Sequence, residues 1–237
     1  SLDVSANTSL TILSCNNNQL TNLDVSNNTA LTGLWCDSNQ LTSLDVSNNT
    51  ALTELRCYQN QLTSLDVNAN TVLDYLYCSE NQLTTLDVSS NTVLRYLNIE
   101  SCQLTTLDLS NNSDLADLSC ASNQLTNLDV SSNTLLTFLS SYGNQINSLD
   151  VLNSTMLSFL DIADNQLTSL DVSANTSLTG LYCGGNQLNY LNMKNGLTDQ
   201  LTTFNALGNS NLACIETLDP DYATANWTLA NENVDAG

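Results

Sequence analysis

Nine aspartates recur at a constant interval of 21 residues: Asp3, Asp24, Asp45, Asp66, Asp87, Asp108, Asp129, Asp150 and Asp171. Stacked in a column, such carboxylates suggest shared coordination of calcium, a hard cation that takes several oxygens. At ~5 Å apart they would otherwise repel by ~0.8 kcal/mol per pair in water. A local arrangement also relieves this, with each Asp accepting the backbone N–H two residues on in an Asx-turn. Each ion would receive only two column carboxylates, and no calcium-loop motif is present. The Asx-turn is therefore the favoured reading, and no metal site is assigned.

A second column carries sulfur. Cys15, Cys36, Cys57, Cys78, Cys120 and Cys183 occupy one position of the same period, with Ile99, Ser141 and Ile162 filling the gaps. Parallel side chains on neighbouring strands point the same way. That is poor geometry for a disulfide and poor for a tetrahedral metal site. Buried free thiols, acting as small hydrophobes, are expected. There is no histidine, which removes the commonest general base and zinc ligand. No nucleophile elbow, P-loop or dinucleotide fingerprint appears. The expectation is no enzyme and no cofactor.

A third set is aromatic. With the cysteine column as reference, the positions one and three before it and one after it point outward from a strand. They hold Trp35, Tyr58, Tyr75, Tyr77, Tyr96, Phe138, Tyr142, Phe159 and Tyr182, nine of the 13 aromatic residues (two Trp, eight Tyr, three Phe). Strands favour aromatics and gain from cross-strand ring pairs, but that does not explain why the opposite face has almost none. Aromatics gathered on one surface mark a partner site. Glu54 and Arg56 lie on the same face, as do Asp37, Glu80, Glu100, Asp117, Asp161 and Asp164. Arg56, read as the one basic residue there, falls between Trp35 and Tyr77 in a single column, where a guanidinium stacks on rings. The Trp35 to Tyr96 cluster is the expected hot spot, and Phe138, Tyr142 and Phe159 form a second cluster.

These columns need elements that hold them in register. The unit is clearest in LTELRCYQNQLTSLDVNANTVL, residues 52–73. Its Leu and Val positions cannot be buried by one unit alone, so successive units must stack. Leu55-Arg56-Cys57 alternates with strand periodicity, whereas the Asn-Thr stretch after each LDV reads as a turn. The pattern LxxLxCxxNxL over about residues 1–214 is the leucine-rich-repeat signature. It resembles 21-residue repeats of secreted and surface proteins of Bacteroidota and is similar in architecture to the internalins. The resemblance implies a curved solenoid of about ten turns. A parallel β-sheet would line the concave face, short extended or 3₁₀ segments the convex face, with little α-helix. It implies a partner-binding concave sheet, an extracellular address, and an asparagine ladder (Asn18, Asn39, Asn60, Asn81, Asn123, Asn144, Asn165, Asn186, Asn209) in which Cys102 stands in for Asn.

Residues 215–237 depart from the repeat and read as a capping segment. Asp219-Pro220 is an N-cap followed by an N1 proline, and Ile215, Tyr222 and Trp227 are expected to cover the end of the core. The chain starts in mid-repeat and reads as a piece of a longer precursor.

Charge narrows the partners. With 24 acidic residues against three basic ones, the formal net charge is −21. That opposes nucleic-acid binding and docking on anionic membranes, and no apolar run is long enough to insert. The expected function is extracellular protein recognition or adhesion by a secreted or bacterial cell-surface chain. The alternatives are a carbohydrate-binding module of a larger secreted protein and a structural spacer.

Overall fold

The computed structural model describes residues 2–231 and 233–235. They fall into two compact units, Ser1–Leu115 and Ala116–Gly237. Each is a stack of five solenoid turns, about ten in all, and each turn contributes one short strand to a parallel sheet.

In the first unit the strands are β1 (Ile12–Ser14), β2 (Gly33–Trp35), β3 (Glu54–Arg56), β4 (Tyr75–Tyr77) and β5 (Tyr96–Asn98). Leu34 pairs with Leu55, Leu55 with Leu76, and Leu76 with Leu97, so the 21-residue period is also the pairing register. The inward residues form one continuous core: Leu31, Leu34, Cys36, Leu41 and Val46 have no solvent exposure, and their equivalents in the next turns are as well buried.

The second unit holds β6 (Asp117–Ser119), β7 (Phe138–Ser140), β8 (Phe159–Asp161), β10 (Gly180–Tyr182) and β12 (Thr203–Asn205) in one parallel sheet. On the opposite side, β9 (Ser169–Asp171), β11 (Tyr190–Met193) and β13 (Cys214–Thr217) pair into a second parallel sheet. In the described residues of the first unit the equivalent LDV segments form no strands. The only 3₁₀ helix among the described residues is Leu229–Asn231, outside the repeats.

Asparagines satisfy the bends. Asn60 Nδ2 donates to the carbonyls of Cys36 and Cys57, both at 3.1 Å, and its Oδ1 accepts from Leu41 N at 2.9 Å. Cys102 occupies that slot one turn after Asn81, with Sγ 3.6 Å from the Cys78 carbonyl. A second ladder lies where the sequence suggested only a turn. Asn49 is fully buried, and its Nδ2 donates to the carbonyls of Val25 and Asn28 at 3.0 and 2.9 Å. Asn28, Asn70, Asn91 and Asn175 repeat the contact.

Each turn also carries one residue in left-handed backbone, two positions past the cysteine column. In the first unit these are Asn17, Ser38, Gln59, Glu80 and Ser101, with φ between 51° and 55°. In the second unit glycine takes the position three times, at Gly143, Gly185 and Gly208.

Beyond β13, α1 (Pro220–Asn226) is capped by the Asp219 side chain, which accepts from Tyr222 N. Trp227 is buried, with its ring 4.7 Å from that of Phe204. Tyr222 and Ile215 are half-buried.

Candidate functional site

The sheet face of the first unit is built from side chains one turn apart, at the spacing of parallel strands. Arg56 Cζ lies 5.1 Å from the Trp35 ring centre and 5.6 Å from that of Tyr77. Arg56 Nε also meets Glu54 Oε1 at 2.6 Å. In the column beside it, the rings of Tyr75 and Tyr96 stack at 4.4 Å and within 3° of parallel. Because that stack follows the strand-to-strand direction, both rings stand with an edge toward solvent.

The sequence missed a second arginine on this face. Arg95 occupies a flanking position held by Thr11, Thr32 and Thr53 in earlier turns. Its guanidinium pairs with Asp74 and reaches within 5.8 and 5.6 Å of the Tyr75 and Tyr96 ring centres. The third cation, Lys194, meets Glu216 at 2.6 Å in the second unit. All three basic side chains are thus committed to internal carboxylates.

Tyr58 sits in the column one past the cysteines. Burial first, then its hydrogen bond to Asp37, push its phenol above the ordinary range. Asp37 is only 2% exposed. Tyr58 and Tyr77, with Ser79, Glu80, Asn98 and Glu100, line a cleft of about 240 Å³.

In the second unit, Phe138 and Phe159 stack at 4.8 Å and 4°, and Phe159 meets Tyr182 at 5.7 Å with a 47° tilt. Tyr182 therefore joins this cluster. Tyr142 lies on the same face but in the column past the cysteines, not in the stacked one. Phe159 leans over Gly180, where a Cβ would come within 2.8 Å of its ring. Burial raises the Asp117 carboxyl above the usual range.

The other two columns are held by local hydrogen bonds and by burial. Every aspartate of the nine accepts the backbone N–H two residues on, from Ser5 at 2.9 Å through Asn68 at 2.9 Å to Ser173 at 2.9 Å. Hydrogen bonds from the serine two residues on, side chain first and backbone second, hold Asp3, Asp24, Asp45, Asp87 and Asp129 below the usual carboxylate range. Among the described residues, no group of three or more His, Cys, Asp or Glu side chains is placed to hold a metal. All eight cysteines are free thiols, and only Cys214 is exposed. Burial raises the ladder thiols, pushing Cys120 and Cys183 up to about 12.

The arrangement has close structural counterparts. The functional domain of InlJ from Listeria monocytogenes, described as including a cysteine ladder, superposes with a TM-score of 0.89 at 42% identity, over 96% of this chain and 50% of that one. The chain is a leucine-rich-repeat solenoid of internalin-like architecture. It spans half the length of the InlJ structure. The internalin InlF of L. monocytogenes matches this solenoid at 22% identity and a TM-score of 0.61, over 97% of this chain and 87% of that one. The leucine-rich effector YopM of Yersinia pestis matches at 23% identity and 0.70, over 89% and 60%. These two similarities are of fold alone. The LVIVD repeat family matches residues 36–60 of the solenoid. A search of the curated proteins finds no match.

Proposed function

We propose that this solenoid is a non-enzymatic protein-binding module of a secreted or cell-surface protein, and that it engages its partner through the sheet face of its first unit. The observation that carries this reading is the cluster of half-buried rings and committed arginines there. Trp35, Arg56 and Tyr77 fill one column, and Tyr75 and Tyr96 the next. Rigid aromatics and arginine on one open surface are the composition of interface anchors. Glu54 neutralises Arg56, so the remaining carboxylates set the sign of the surface and call for a basic or polar partner patch. The second unit's Phe138, Phe159 and Tyr182, with Tyr142 on the same face, extend the same proposal.

The second reading is carbohydrate binding, in which sugar rings lie flat on aromatic faces. The upright stack of Tyr75 on Tyr96 supports the protein reading over it, because each ring covers one face of the other. The test is a Trp35→Ala, Tyr77→Ala double variant compared with the parent on arrays of extracellular proteins and of glycans. Protein binding lost by the variant supports the proposal. Glycan binding lost by the variant selects the alternative, and no binding by the parent leaves a structural spacer.

A further inference from the structure

The cleft on the first unit's sheet face has a definite construction. In the column one past the cysteines, three successive turns present Tyr58, Ser79 and Glu100. Ser79 is the small member, and it is buried. Tyr58 and Glu100, two strand spacings or ~10 Å apart, therefore stand on either side of a gap about one side chain wide. The adjacent column supplies Tyr77 and Asn98, and Glu80 lies at the rim. Both Glu80 oxygens accept from Gln59 Nε2 at 3.1 Å, which holds that carboxylate in place.

The chemistry of this notch is one-sided. It offers two carboxylates, two phenol rings and an amide, and no cation of its own. Arg56, the neighbouring guanidinium, is held by Glu54 and lies between Trp35 and Tyr77. An anion would meet Glu80 and Glu100 directly. A cation gains from both carboxylates and from the ring faces. A protein of net charge −21 also draws cationic partners toward such a cleft.

We propose that the notch over Ser79 seats a lysine or arginine side chain of the partner protein, between Tyr58 and Glu100. This rests on the reading of the sheet face as a protein-binding surface, and it names the partner chemistry that the surface selects.

The test uses the full chain, labelled with ¹⁵N and titrated with the blocked single residues N-acetyl-lysine methylamide and N-acetyl-arginine methylamide. The neutral isostere N-acetyl-citrulline methylamide is the control. Saturable amide shifts centred on Tyr58, Ser79, Glu80 and Glu100 with the cationic probes, and none with citrulline, are expected. Ser79→Tyr fills the gap and abolishes them. Glu80→Gln at an exposed position combined with Glu100→Gln at a half-buried one leaves the core intact and weakens binding by about tenfold. Equal shifts with citrulline would overturn the proposal, as would non-saturating shifts spread over the aspartate column. If the notch takes no cation while Trp35→Ala, Tyr77→Ala still abolishes capture on the protein array, the sheet-face reading survives and this assignment fails. If neither effect appears, both fall.

Discussion

The Arg56 guanidinium lies between two rings, 5.1 Å from Trp35 on one side and 5.6 Å from Tyr77 on the other. A planar cation between two π-faces gains about 0.5–1 kcal/mol per contact at a partly exposed site. Replacing Arg56 with Ala should lower stability by about 1 kcal/mol, read as a fall in the urea midpoint, and should change the near-UV signal of Trp35. Lysine should restore little, because a compact ammonium does not stack as a guanidinium does.

The asparagine ladder predicts opposite effects at two equivalent positions. Asn60→Ala leaves Leu41 N–H buried without its acceptor and removes one of the two amide donors, Asn39 and Asn60, on the Cys36 carbonyl, at a cost of about 2 kcal/mol. Cys102→Asn puts amide donors where a thiol now makes one long contact of 3.6 Å. It should gain about 1 kcal/mol. Chemical denaturation of both variants checks the pair, and a destabilised Cys102→Asn would show that the slot is shaped for sulfur.

Thiol chemistry should separate one cysteine from seven. The ladder thiols and Cys102 are buried, with raised pKa values, and Cys214 is exposed. Since the thiolate is the reactive form, alkylation at pH 8 followed by mass spectrometry should add one label to the folded protein, on Cys214. In denaturant all eight should react.

The aspartate column sets the acid limit. Hydrogen bonds depress these carboxyls in the folded state, so the unfolded chain takes up protons first as pH falls. Their contribution is complete above the unfolded value of about 4 and is lost as pH drops through the lower folded values. Thermal scans should give a midpoint that falls steeply below about pH 4, and Asp45→Asn should make that fall shallower.

The left-handed position predicts a backbone effect free of contacts. Gly143 has φ 66°, and a Cβ added to it would have its nearest neighbour atom at 3.6 Å, in ordinary van der Waals contact. Gly143→Ala should cost about 1 kcal/mol from conformation alone. Ser122→Gly, one turn earlier at φ 53°, should recover part of such a penalty. Urea midpoints of the two variants should shift in opposite directions.

Much of this molecule is written in one period. The spacing of Leu34, Leu55 and Leu76 determined both the inward core and the strand register, because a parallel stack repeats each turn's hydrogen bonds on the next. The same spacing placed Arg56 between Trp35 and Tyr77, and it gave every column aspartate the N–H two residues on. Asp219-Pro220 marked the start of α1. Tertiary structure decided what depends on the distance between turns and the reach of side chains. Asn49 reads as a turn residue, yet stacking buries it completely, and its amide then serves two carbonyls of the preceding turns. Arg95 sits on a flank by position, but its length carries it over Tyr75 and Tyr96. On the side opposite the long sheet, Ser169–Asp171, Tyr190–Met193 and Cys214–Thr217 pair into strands, whereas the LDV segments of the first unit do not. The notch over Ser79 exists because one small residue separates Tyr58 from Glu100, and a gap between side chains is a property of the packed stack, not of any single turn.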